Sequence, residues 1–418
     1  MHASSKIFKS ATSLLYLTQI RSVGTPNRVV KLRPVSHFSL LLLVLCFSTS
    51  TLAQSYQYSV QGMMPGGTGL AAGINNSGLV IGRSETHSNA EARGFVWGRG
   101  PQTQKLASLP GGDFSEAAGI NDLGDIIGSA NTNAHLRALL WTRNGEIREL
   151  GALPGDSGSR ARSINRAMQV VGSSMGPNGV SAFLWTPREG MQRLAPLAAS
   201  DFSEATAINN AGLIVGTSGF AHGGHRAVLW KNAASIRELG TLPGDSGSES
   251  YAINDLGQVV GTSTGPSGEH AWIWAKRDGM RSLGSLPGGD FSRALGINNL
   301  GQVVGISSTA MGASHAFIWT ANGGMRDLND LIPISRILLI SAVGINDRGQ
   351  ILAYGGDRDA LNNDLLDWLG PIRPQLDESG KTCHGPPSEQ EVYIFRPPSK
   401  ESFCPCRPVN YLLTPKGG

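Results

Sequence analysis

Two kinds of apolar run recur along the chain, and neither alternates with polar residues. One reads like residues 302–306 (QVVGI), the other like residues 315–320 (HAFIWT). Continuous short apolar runs predict strands buried on both faces. The cleanest stretch, residues 283–328, predicts four such strands, at 294–298, 302–306, 315–320 and 325–328. The first two are joined through Asn299-Leu300-Gly301. A glycine there suits a hairpin turn with a positive-φ position. A Gly/Ser/Ala-rich loop precedes the third strand, a Gly-Gly turn the fourth, and a Leu-Pro-Gly-Gly loop begins the next unit.

This unit repeats. An Ile-Asn pair stands at Ile74-Asn75, Ile120-Asn121, Ile164-Asn165, Ile208-Asn209, Ile253-Asn254, Ile297-Asn298 and Ile345-Asn346, so successive asparagines lie 44 to 48 residues apart. Four strands in about 45 residues is the size of a β-propeller blade, where each small sheet is packed between two neighbours. The expected fold is all-β, a seven-bladed β-propeller over residues 54–354. A β-helix has shorter coils, and a sandwich gives no reason for seven repeats. The ends support a ring. Residues 56–63 occupy the register of a fourth strand with no strands ahead of them. The seventh unit has strands one and two (343–346 and 350–354), a third at either 392–397 or 411–415, and no evident fourth. The N-terminal strand is expected to complete that blade, and closure removes the open edges of a linear array.

The third strand carries one tryptophan per unit, at Trp97, Trp141, Trp185, Trp230, Trp274 and Trp319. Within apolar runs these read as a packing layer between blades. The unit resembles the HAF family of extracellular repeats, on His315-Ala316-Phe317, the GIN-x-x-G-Q-V-V-G stretch beside it and the LPGG loop. The other units depart from it in the histidine slot, which holds Arg93, Arg137, Ser181, Arg226 and His270, and at Met168, which replaces the turn glycine. The resemblance implies a bacterial, exported protein and carries no defined activity.

Composition and charge refine this picture. Glycine supplies 55 of 418 residues and charged residues only 16%, against an ordinary quarter, which disfavours helical bundles. Residues 1–53 hold six of the 35 basic residues and none of the 31 acidic ones. They run from a basic stretch through an apolar segment (38–47, FSLLLLVLCF) to small residues ending Thr51-Leu52-Ala53. That is the order of a secretory signal peptide, with an extended first region. Ten apolar residues are too few to span a bilayer. Without this segment the chain is slightly acidic, so its basic balance offers no argument for a nucleic-acid partner. No later segment predicts a membrane span.

Candidate chemistry is sparse. An acid follows the Pro-Gly loop at Asp113, Asp156, Asp201, Asp245 and Asp290, each near a serine. These acids read either as a ligand-binding rim at a central channel or as turn-formers bonded to their own loops. His222 and His225 have no third partner for zinc, and no spacing matches a calcium loop; no metal or cofactor is expected. No nucleophile elbow is present. Residues 355–418 break the repeat with a Pro-rich segment containing Cys383, Cys404 and Cys406. Export permits a disulfide of Cys383 with Cys404 or Cys406. The sequence therefore points to a secreted, non-catalytic scaffold that binds carbohydrate or an extracellular protein. Its rival is an extracellular carbohydrate-active enzyme with carboxylates at the channel.

Overall fold

The computed structural model describes residues 55–60, 67–86, 92–98, 103–132, 135–220, 223–333, 336–357 and 409–415. The expected leader, His222 and the three C-terminal cysteines lie outside these residues. The described chain forms seven four-stranded antiparallel sheets. The first strands of neighbouring sheets contact one another all the way round, which makes a seven-bladed propeller with strand one innermost. Blade 6 is representative: Ser292–Ile297, Val303–Ser308, Ser314–Thr320 and Gly324–Asp327. Blade 7 comprises Ile337–Ile345, Ile351–Asp357, Val409–Pro415 and, from the other end of the chain, Tyr56–Val60. The third strand is thus the later of the two alternatives. The N-terminal strand pairs with it from Tyr56↔Pro415 to Val60↔Tyr411 and closes the ring.

The core lies between blades, because each sheet is apolar on both faces. One cluster joins Val260, Ala271, Ile273 and Leu283 of blade 5 to Ala294, Ile297, Phe317 and Trp319 of blade 6. Trp141, Trp185, Trp230, Trp274 and Trp319 are buried and Trp97 is half-buried. Two of the indoles also bond to backbone: Trp141 donates to the Ala107 carbonyl and Trp230 to that of Ala195, both at 2.7 Å. Arginines from the preceding blade cover other rings, with Arg148 over Trp185 at 4.8 Å, Arg237 over Trp274 at 5.3 Å and Arg281 over Trp319 at 4.9 Å. Each contact joins two blades and adds a cation–π attraction to the buried area.

Two recurrent small residues explain themselves in the same way. The glycine of the VVG run faces a bulge in strand one. A Cβ at Gly128, Gly172 or Gly305 would stand about 2 Å from a strand-one carbonyl oxygen, that of Glu116, Arg160 or Arg293. Only glycine allows that approach. The serine at the start of strand one is buried and accepts a backbone N–H from the previous blade, 21 residues earlier: Ala138 to Ser159, Ala182 to Ser203, Ala227 to Ser248 and Ala271 to Ser292. These serines are therefore cross-links between blades.

The first histidine of the HAF triplet also has a structural partner. His315 Nδ1 lies 2.5 Å from Asp327 Oδ2 on strand four of the same blade. In three other blades the slot holds arginine, and Arg93, Arg137 and Arg226 donate to carbonyls of the next loop, Gly112, Ser157 and Ser246. Burial raises the Asp327 carboxyl, but hydrogen bonds from His315 and the Asn329 amide outweigh it and hold the pKa below the usual carboxylate value. A depressed carboxyl stabilises the fold above its unfolded pKa, near 4, and that contribution is lost as pH falls through the lower folded value. Acid denaturation followed by circular dichroism should therefore show wild type losing stability below about pH 4. Asp327→Asn should be less stable at neutral pH and less sensitive over that acid window.

Removing the N-terminal strand tests closure. A chain beginning at Gly67 loses the fully buried Tyr56 and leaves the Val409–Pro415 edge unpaired. It should be less stable by about 3–5 kcal/mol and self-associate through that edge, as read by melting and size-exclusion chromatography.

Candidate functional site

Strand one runs from the Pro-Gly loop at one face of the ring to the Asn-x-x-Gly turn at the other, so the axial channel has two different ends. At the turn end, the Ile-Asn pair meets the axis seven times. Each asparagine is 3–4% exposed. Its side-chain oxygen holds its own turn: Asn298 Oδ1 accepts from the amides of Leu300 and Gln302. Its side-chain nitrogen donates to the backbone carbonyl of the next asparagine, at 2.9–3.1 Å in every case. The sequence is Asn75 to Asn121, Asn165, Asn209, Asn254, Asn298, Asn346 and back to Asn75. One residue type thus closes a hairpin and a ring together. The glutamine of the GQVVG run completes the pattern, since Gln169, Gln258, Gln302 and Gln350 accept the second amide proton.

The next residue makes a second ring: Asn76, Asp122, Arg166, Asn210, Asp255, Asn299 and Asp347. These line a basin of about 170 Å³ above a collar of the seven isoleucines. Backbone N–H groups of Asn76, Arg166, Asn210, Asp255, Asn299 and Asp347 each donate to the side chain of the following blade. The step from Asp122 is the exception, because arginine offers no acceptor. There Arg166 instead donates back to Asp122 Oδ2 at 2.6 Å. Burial raises the Asp122 carboxyl, but the Asn76 amide and the Arg166 guanidinium outweigh it and keep the pKa low. The same blade carries Met168 at φ 57° in the turn position that is glycine elsewhere. The basin rim is mostly bonded to itself and reads as a staple more than as an open site.

At the opposite end, strand one differs from blade to blade. The position before the bulge holds Leu70, Glu116, Arg160, Glu204, Glu249, Arg293 and Ser341. Most of these charges are tightly held. Arg162 Nε meets Glu204 Oε1 at 2.9 Å, Tyr251 donates to Glu249 at 2.7 Å and Arg293 forms a two-pronged pair with Glu269. The His225 side chain, stacked on Phe202 at 5.2 Å, and the Tyr251 hydroxyl hold the Glu249 carboxyl below its ordinary pKa against the effect of burial. The exception is looser: Glu116 lies 3.6 Å from Arg160 and 3.8 Å from Arg83.

The five loop aspartates sit at this second end, and none of them lines the axial basin. Asp113 accepts from Asn131 at 2.6 Å and Asp290 from Ser308 at 3.0 Å, each on strand two of its own blade. The Asn131 hydrogen bond, above all, lowers the Asp113 pKa. Asp156 and Asp245 pack against Gly176 and Gly265, where a Cβ would come within 2.1 Å of the carboxylate. Asp201 is exposed. Among the described residues no group of three or more His, Cys, Asp or Glu side chains is arranged to hold a metal ion, and no helix is long and apolar enough to cross a membrane.

The reading from sequence passed over the strand-one charges and treated the asparagines only as period markers. The signal was present in both cases: one position is asparagine in all seven units, while the other holds leucine, glutamate, arginine or serine.

No family model matches the chain, and no curated protein does. Solved structures do. A streptogramin B lyase is 12% identical over 72% of this chain and 94% of its own, with TM-score 0.46. The β-propeller domain of the Trilobed protease from Pyrococcus furiosus is 8% identical over 70% and 91%, with TM-score 0.46. A gluconolactonase from Xanthomonas campestris is 12% identical over 84% and 98%, with TM-score 0.36. Functional conclusions rest on this chain's own residues.

The staple makes a quantitative prediction. Asn254→Ala removes donors to Asn298 and Gln258 and the acceptor of the Gln258 amide. Urea unfolding should show a loss of about 3 kcal/mol. Met168→Gly should stabilise by about 1 kcal/mol by relieving the left-handed backbone.

Proposed function

We propose that the protein is an exported, non-catalytic propeller that binds a partner, carbohydrate or protein, at or outside the cell surface. One observation carries this reading: the two ends of the same inner strand obey opposite rules. The turn end repeats one asparagine seven times and bonds it to itself. The loop end carries four different residue types over the seven blades, Leu70, Glu116, Arg160, Glu204, Glu249, Arg293 and Ser341, while the serine, glycine and tryptophan around it recur in most of them. A regular frame presenting a variable set of charges suits recognition, and function on a propeller belongs to such a set and not to the fold. The leader-like segment and the HAF resemblance favour export.

The state of the acids favours binding over catalysis. A glycosidase needs one carboxylic acid with a raised pKa beside a second, ionised one. Here Glu249 is held in its ionised form by its neighbours, which does not suit it for protonating a leaving group.

The test is a glycan array probed with oxidised residues 54–418, followed by incubation with any glycan retained. Selective retention without cleavage is the expected result. Time-dependent release of shortened glycan would overturn the non-catalytic reading. Asp245→Ala and Asp290→Ala should lower stability while leaving retention intact.

A further inference from the structure

The triad of Arg83, Glu116 and Arg160 is looser than the Arg162–Glu204 and Arg293–Glu269 pairs at this end of the channel. The side chains are 9%, 16% and 14% exposed, yet their separations are too long for hydrogen bonds. Among the described residues no hydrogen bond reaches the Glu116 carboxylate, and Arg160 Nε is buried without an acceptor. Arg162–Glu204 and Arg293–Glu269 by contrast are hydrogen-bonded pairs. Buried charges are normally paired and hydrogen-bonded. A gap between the Glu116 carboxylate and the Arg160 guanidinium therefore calls for a group that donates and accepts together.

A hydroxyl is such a group. A free anion would bond the guanidinium fork but would face Glu116, which lies within 4 Å of both arginines. An ammonium would suit Glu116 and be repelled by the arginines. The surroundings add an apolar side. Leu70, the cross-strand partner of Arg83, is 41% exposed, and Arg83 lies 5.8 Å over the half-buried ring of Phe114. Arg83 is itself a departure, since the same strand-two position holds Ser129, Ser173, Thr217 and Thr262 in blades 2 to 5.

We propose that blades 1 to 3 form a saccharide-binding site, in which neighbouring hydroxyls of a sugar ring donate to Glu116 and accept from Arg160, with Leu70 and Phe114 against its C–H face. The site rests on the partner-binding reading and narrows it to carbohydrate. It also moves the contact from the loop aspartates to strand-one residues a few positions on.

The experiment is saturation-transfer NMR of oxidised residues 54–418 with methyl glycosides of glucose, galactose and mannose. At least one glycoside should show transfer, and its affinity should fall roughly tenfold or more in Glu116→Gln and in Arg160→Met. Asp290→Ala, on blade 6, should bind as wild type. Because either variant is open to misfolding, wild type is also treated with phenylglyoxal and mapped by mass spectrometry. The bound glycoside should protect Arg160. No transfer from any glycoside, transfer that survives both variants, or modification of Arg160 at an unchanged rate would each overturn the site. A glycan or protein whose retention on the array is indifferent to these variants leaves partner binding standing and removes this site alone.

Discussion

The hydrogen bond from one asparagine side chain to the backbone carbonyl of the next is the contact on which the ring depends. A propeller's inner strands are sheet edges, with backbone groups that must be satisfied around a narrow axis. Here Asn75, Asn121, Asn165, Asn209, Asn254, Asn298 and Asn346 do this at the turn end. Because the same side chain folds its own hairpin, a blade cannot form its turn without also presenting the donor that its neighbour needs. Local and global structure then favour one another, which is the condition for a well-funnelled fold.

The remaining contacts follow from that register. Once the asparagines fix the inner strands, the strand-one serine meets a backbone amide of the preceding blade, and the strand-three indole meets an arginine from it. The bulge that sharpens each inner strand requires the glycine opposite. Blade 7 is the informative exception, with Ala353 in the glycine position, a second register shift between Leu339 and Ser341 and its last two strands drawn from opposite ends of the chain.

Much of this was legible from sequence. The period, strand count, blade number and completion of the last blade by the first strand all followed from where Ile-Asn and Trp recur. The third strand of blade 7 stayed ambiguous because residues 392–397 and 411–415 both read as apolar strands, and only pairing with Tyr56–Val60 separates them. The site was less legible. Asp113 and its equivalents stand out as a regular acid in the loop before strand one, but regularity marks a turn role, and Asp113 and Asp290 bond to strand two of their own blades. Glu116, Arg160 and Arg83 belong to three blades and come together only through the curvature of the ring, which no local pattern encodes.

The frame and the site make opposite demands, one on uniformity and the other on variation, and they occupy opposite ends of one strand. Hydrogen–deuterium exchange of oxidised residues 54–418, with and without a saturating methyl glycoside, tests that division most directly. The account predicts slow exchange at the asparagine-turn amides in the free protein and new protection confined to the segments around Glu116 and Arg160. Fast exchange at the turns, or protection appearing at the Asn76–Asp347 rim, would contradict it.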